Sequence, residues 1–279
     1  MSNTDKKWNE VIDVSTHPLS HTELEAYFPQ KIVDCDITEF SDYVLTGQVP
    51  FPVMPAHKKA LEFFFSFKIL NPQPEHHVMD LAGGRSVYLT ALRRIRGCTH
   101  LYLSDHIFEG VMTNSDKITV VGGDAGEIQI PDESLDRIAC HHAFEHFQGE
   151  SDSNAIREIG RLLRPGGVAC LIPLFATQHF IECWNIPKSS TFDPAATLIF
   201  DPSASIPGAD EDGHFARFYN IEALDRRVIR IAAEIGLKAS IVACRLNGQD
   251  LPDMKTNFGS VLNYPLRALV LEKPSARTL

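Results

Sequence analysis

No stretch of this 279-residue chain is continuously apolar for long. A bilayer-spanning helix needs roughly 18 apolar residues in succession, so a helical membrane span is not expected. Basic residues are in the minority: 26 Lys and Arg stand against 36 Asp and Glu, a formal charge of -10. Such a surface repels phosphate backbones and disfavours general nucleic-acid binding. Its one notable basic grouping, Arg226-Arg227 with Arg230, fits the solvated face of a helix. The six cysteines, at 35, 98, 140, 170, 183 and 244, form no close pair. Cys140 and Cys170 sit in apolar, strand-like runs where a thiol behaves as a small hydrophobe. Reduced thiols are the simplest expectation. The opening Met-Ser-Asn-Thr-Asp-Lys-Lys lacks the apolar core and cleavage site of a secretory signal, so a cytoplasmic protein is expected. Residues 1–55 lack strong periodicity and contain five prolines; they are expected to form a cap of short helices and loops.

What is present is a hydrophobic fraction of 44%, enough to bury a sizeable core. Residues 56–69 carry an aromatic stripe and predict a helix facing the core. Beyond Pro72 and Pro74 the rhythm changes. His77–Ala82 is a short apolar run ending in Gly83-Gly84, a strand and then a tight turn. Ser86–Ile95 predicts a helix, and Thr99–Ser104, Ile118–Val121, Arg137–Cys140 and Val168–Leu174 predict further strands. Between the last two, Ser151 or Asp152 can cap a helix with Ile156, Ile159, Leu162 and Leu163 on one side. Asn220 can cap another that carries Ile221, Leu224, Val228, Ile231 and Ile235, with Gly236 at its end. Lys238–Cys244 and Leu266–Glu272 are closing strands, whereas 173–219 shows no clear period. Strands alternating with helices imply a doubly wound, mostly parallel α/β sheet covered on both faces. Such sheets bind ligands at the carboxyl ends of their strands.

The turns at those ends are informative. The first is Asp80-Leu81-Ala82-Gly83-Gly84-Arg85-Ser86, whose small residues let a ligand approach the backbone. The second strand ends in Asp105-His106, and a carboxylate there can accept from a ribose diol. The third is followed by Gly122-Gly123-Asp124-Ala125, a second acid that could face an adenine amino group. The fourth meets His141-His142-Ala143-Phe144-Glu145-His146. In order and spacing these turns resemble the class I S-adenosylmethionine-dependent methyltransferases over about residues 75–175, more weakly to 272. Arg157-Glu158-Ile159 through Leu163-Arg164-Pro165-Gly166-Gly167 and His214-Phe215-Ala216-Arg217-Phe218-Tyr219 add to the likeness. The resemblance implies a seven-stranded sheet with its last strand antiparallel. It also implies a methyltransferase domain over 56–279 with an acceptor-side insertion at about 173–219. S-adenosylmethionine would rest on Asp80, Ala82, Gly83, Gly84, Arg85, Asp105, His106, Asp124, Ala125 and His141. The family usually has glycine where Ala82 and Ser86 stand. Ala82 fits if its φ is negative, and Ser86 could start the helix and donate to the cofactor carboxylate, to which Arg85 could pair.

His142-Ala143-Phe144-Glu145-His146 also matches H-x-x-E-H, a zinc-protease pattern. Its position directly after a strand, which the methyltransferase likeness explains, argues for no metal. His142 is the leading candidate for a general base and His214 the next, since neutral imidazole removes protons near neutral pH. The expected acceptor is a small or medium polar molecule, with a sugar or natural-product hydroxyl preferred. A protein or RNA acceptor, and a cofactor-binding subunit without catalysis, are the alternatives. Oligomeric state is not legible.

Overall fold

A computed structural model of the chain describes residues 18–49, 56–115, 118–185, 192–201, 214–251, 254–255 and 263–275. The polar start, Pro50, Pro52 and Pro55, and two parts of the 173–219 stretch (186–191 and 202–213) lie outside these. The described elements begin with α1 (His21–Glu25), β1 (Gln30–Cys35), α2 (Ile37–Gly47) and α3 (Ala56–Leu70). Then come β2 (His77–Leu81), α4 (Tyr88–Arg96), β3 (His100–Asp105), β4 (Met112–Ser115), β5 (Ile118–Gly122) and β6 (Leu135–His141). They continue with α5 (Ser151–Leu162), β7 (Leu163–Ile172), β8 (Ile181–Trp184), β9 (Thr197–Phe200) and β10 (Phe215–Phe218). A helix follows as α6 (Ile221–Leu224), a π turn (Asp225–Ile229) and α7 (Arg230–Glu234). The chain closes with β11 (Lys238–Leu246), β12 (Gln249–Asp250), β13 (Met254–Lys255), β14 (Asn263–Tyr264) and β15 (Arg267–Glu272).

The main sheet runs β1-β11-β15-β7-β6-β2-β3-β5-β4, with β12 paired to β11. It is larger than expected, ten strands rather than seven. The additions are β1, parallel to β11; β4, antiparallel to β5; and β12. As expected, β15 is antiparallel to both of its neighbours, and β2, β3, β5, β6 and β7 pair in parallel. Side chains alternate across a strand, so the sheet divides two cores. Val78, Ala139 and Cys170 face a cluster with Phe40, Phe64 and Leu92 from α2, α3 and α4. Met79, Ile138 and Leu171 face a second cluster with Leu24, Ile156, Leu224 and Val228 from α1, α5, α6 and the π turn.

Several sequence expectations are corrected. The N-terminal segment is not only helices and loops, because β1 joins the main sheet. The 173–219 stretch contains a three-stranded sheet in the order β10-β8-β9. Ser151 and Asp152 lie within the first turn of α5; its N-cap, Glu150, makes no side-chain capping bond. Asn220 does cap, accepting from the Ala223 amide at 2.8 Å. The basic trio is not one solvated face: the Arg230 side chain is 63% exposed, but that of Arg227 only 2%. All six cysteines are free and buried.

Candidate functional site

The β2–α4 turn is built around a buried acid. Asp80 Oδ1 lies 3.1 Å from His141 Nδ1, and Asp80 Oδ2 accepts a short hydrogen bond from the Ser86 hydroxyl. Asp80 therefore ties β2, β6 and the turn together below the surface rather than lining either cavity described below. Ser86 serves that network, and α4 starts two residues later, at Tyr88. A Cβ on Gly83 would come within 2.6 Å of Asp80 Cγ, and Gly84 has φ of +55°. Both positions thus require glycine, one for space and one for backbone conformation. Ala82 has φ of +52°, not the negative value expected. The left-handed region costs an alanine about 1–2 kcal/mol.

Two cavities flank this turn. The first, of about 320 Å³, is lined by Ala82, Ser104, Asp105, His106, Gly123, Asp124, Ala125, His146, Phe147, Gln148 and Ser151. The second, of about 420 Å³, is lined by Val49, Lys59, Ala60, Phe63, Gly83, Arg85, Ser86 and Val87. The strand-end acids thus meet in one cavity, as the sequence suggested, while Gly83 and Arg85 face the other. Asp105 accepts from the Gly84 amide at 2.7 Å and the Ile107 amide at 3.1 Å. Asp124 accepts from the Gly126 amide at 2.7 Å. His106 is exposed, with Nδ1 3.2 Å from Asp105. The His141 ring is buried against Phe63 and Tyr88, and its carbonyl accepts from Lys59 Nζ at 3.0 Å.

The candidate bases form a cluster beside the first cavity. His142 follows β6 with φ of +51°. Its Nδ1 lies 3.1 Å from Oε1 of Glu62, a side chain fully withdrawn from solvent. Its Nε2 is 3.6 Å from Glu145 Oε1, and so is His146 Nε2. The His214 ring lies 4.6 Å from that of His146, centroid to centroid. Burial pushes the His142 imidazole down, but the carboxylates of Glu145 and Glu62 outweigh it and raise its pKa. Burial lowers His146 to about 3 and His214 to about 4, so both rings are neutral at physiological pH. The sequence reading missed Glu62 and Lys59. The available signal for Glu62 was a single acid beside the aromatic run Phe63-Phe64-Phe65.

A glycine turn flanked by two cavities, one of them holding two strand-end acids, lies at the carboxyl edge of an open, mostly parallel sheet, where α/β sheets hold their ligands. Residues 79–171 match the family model described as "Methyltransferase domain". The segment is a methyltransferase domain, and S-adenosylmethionine is the methyl donor of this enzyme class. No curated protein matches the chain. Among solved structures, a chain of the Haloferax volcanii complex between the Trm112 methyltransferase activator and a methyltransferase is 14% identical. The match covers 87% of this chain and 99% of that one, with a TM-score of 0.50. A second is 1,6-didemethyltoxoflavin-N1-methyltransferase of Burkholderia thailandensis (12% identity, 93% of each chain, TM-score 0.48), with bound 1,6-didemethyltoxoflavin and S-adenosylhomocysteine. A third is a sarcosine dimethylglycine methyltransferase of Galdieria sulphuraria (13% identity, 85% of this chain and 98% of that one, TM-score 0.46). At these identities the likeness concerns the fold.

The residues present fit the cofactor. A carboxylate offers about four lone-pair directions, so Asp105 retains acceptor capacity beyond its two backbone bonds. Arg85 and Lys59 place two cations on the second cavity, where a carboxylate would be neutralised.

Proposed function

We propose that this chain transfers the methyl group of S-adenosylmethionine to a small or medium polar acceptor, with a hydroxyl as the favoured nucleophile. Asp105 and His106 would hold the ribose, Asp124 and Ala125 the adenine, and Ala82, Gly83, Gly84, Arg85 and the His141 carbonyl the methionine end. Bound, the cofactor supplies an electrophilic methyl on a sulfonium. The protein's tasks are to orient the acceptor and to manage its proton.

One observation carries the preference for a hydroxyl: the cluster headed by His142 borders the cavity that holds Asp105 and Asp124. His146 belongs both to that cavity and to the cluster. A hydroxyl must lose a proton on methylation, and this cluster is the place for it to leave. Glu62 fixes the His142 ring through Nδ1, and His214 lies behind His146. Phe175 packs edge-on to His142 and Phe180 against Tyr219, so described parts of the 173–219 insertion border or support the acceptor side. An RNA acceptor fits less well with a formal charge of -10.

The test is formation of S-adenosylhomocysteine by the full chain across sugar and natural-product hydroxyls, amines, basic proteins and RNA. Turnover is expected with a hydroxyl acceptor. His142→Ala should then lower it roughly 10²–10⁴-fold while cofactor binding survives. Turnover only with protein or RNA overturns the acceptor class. A fall of less than about threefold in the variant removes His142 from the proton path.

A further inference from the structure

We infer that His142, Glu145 and His146 form a binding site for one divalent transition-metal ion of the zinc class. The argument starts from hydrogen positions. His146 Nδ1 lies 2.6 Å from the Phe215 carbonyl oxygen, which can only accept. Nδ1 therefore carries the proton, and Nε2 presents a lone pair. His142 Nδ1 is likewise turned to Glu62, at 3.1 Å. With Nδ1 turned to that carboxylate, Nε2 is the His142 nitrogen left to bind a metal.

Both Nε2 atoms face the same oxygen, Glu145 Oε1, each at 3.6 Å. That is too long for a hydrogen bond. It is close to the edge of a tetrahedron of ligands around one ion: metal–ligand distances of about 2.0–2.2 Å give edges of about 3.3–3.6 Å. The ligand atoms of all three residues lie within 4.8 Å of one another. Glu145 itself is a buried acid whose contacts are with the two imidazoles. Its side chain is 3% exposed, and neither carboxylate oxygen accepts a hydrogen bond. Three potential electron-pair donors converging in a buried place need positive charge between them, and at 3.6 Å the contacts are longer than a hydrogen bond carrying a proton would be, which favours a metal ion.

The surroundings support the same reading. Imidazoles that bind metal through Nε2 usually donate Nδ1–H to a carboxylate or a backbone carbonyl, which aims the ring. Here Glu62 serves one ring and the Phe215 carbonyl the other. Two imidazoles and a carboxylate suit zinc and neighbouring first-row ions, and three protein ligands leave a position open. His146 also lines the cavity of Asp105 and Asp124, so the open position has access to the cofactor side. There an ion can bind an acceptor oxygen and lower its pKa, with the proton passing to water. That role rests on the methyl transfer to a hydroxyl proposed above, with the ion taking the place of a free His142 Nε2 in handling the acceptor proton; the binding of the ion does not. The strand-end position that argued for no metal does not prevent these three side chains from converging.

The test is titration of the chelator-stripped full chain with Zn(II) by calorimetry and with Co(II) by visible absorption. One equivalent is expected, with ligand-field bands of nitrogen and oxygen coordination. Glu145→Gln and His146→Ala should each weaken binding at least tenfold, and Glu62→Gln about 10–100-fold with the coordination spectrum retained. Absence of stoichiometric binding by the wild type overturns the inference. So does a Co(II)–thiolate charge-transfer band, which would move the ion to a cysteine. Equal affinity in folded variants also overturns it. A chain that binds one ion but methylates no hydroxyl acceptor refutes the acceptor class alone. A chain that methylates a hydroxyl but binds no ion refutes the metal site alone.

Discussion

The carboxylate of Asp105 supports the turn that needs glycine and faces the cavity beyond it. It accepts the Gly84 amide at 2.7 Å and the Ile107 amide at 3.1 Å, which fixes the plane of the carboxylate. Its remaining lone pairs can take the two hydroxyls of a ribose as charge-assisted bonds, each worth roughly 1.5–3 kcal/mol. Asp105→Ala should therefore weaken S-adenosylmethionine binding at least tenfold in calorimetry. Unchanged affinity in a folded variant would remove Asp105 from the cofactor site. Ala82 carries the opposite lesson. The sequence shows an alanine in the turn, but not that its φ is +52°. Composition reports which residues can occupy a strained turn, and only the backbone reports whether they do.

At the scale of elements, one buried acid joins α5, β10 and the π turn. Asp152 Oδ2 accepts from Tyr219 Oη at 2.8 Å and Arg227 Nε at 2.9 Å and forms an ion pair with an Arg217 guanidinium nitrogen at 2.8 Å; Oδ1 accepts from Arg227 at 2.7 Å. Burial would push this carboxyl up, but the hydrogen bonds and charges of Arg227 and Arg217 outweigh it and hold its pKa below 3.8. A folded pKa below the unfolded one gives stability that is present above the unfolded value and lost as pH falls through the folded one. Asp152→Asn should cost up to about 3–5 kcal/mol near neutral pH, since it removes a buried counter-charge shared by two guanidinium groups, which keep Glu182 (Arg217) and Asp193 (Arg227). In denaturant titrations the gap between wild type and variant should close as pH drops below 3.8. A gap independent of pH would refute the account. None of this was legible beforehand, because the partners lie 65 to 75 residues apart (Arg217 and Arg227 from Asp152). By contrast β2, β3, β5, β6 and β7 were readable from apolar runs and the turns that end them. The short strands β8 and β10 are buried at every position, so they show no alternation to read. The edge strand β1 has only Cys35 fully buried and gave no signal of its own. The site followed the same rule. Acids at strand ends were visible, whereas Glu62, 80 residues from His142, was not.

At the scale of the whole molecule, the first cavity exists only when distant parts of the chain are assembled. Its walls come from the ends of β2, β3 and β5, the turn after β6 and the start of α5. The second adds α3 and the residues that follow α2. An unfolded chain has neither, so the cofactor should bind the native state alone. Mass action then requires stabilisation by RT ln(1 + [L]/Kd), about 2.7 kcal/mol at a hundredfold excess over Kd. For a domain of this size each kcal/mol raises Tm by about 2–4 °C, so saturating S-adenosylmethionine should raise it by about 5–10 °C. S-adenosylhomocysteine, which keeps the ribose, adenine and amino-acid groups, should shift Tm comparably. Adenosine should do less, because it leaves the Arg85 and Lys59 side of the turn unengaged. In Asp105→Ala the shift should shrink while the ligand-free Tm moves far less. Differential scanning calorimetry of the four samples decides the matter. If saturating cofactor leaves Tm unchanged, the cavity beside Asp105 and Asp124 is not where it binds.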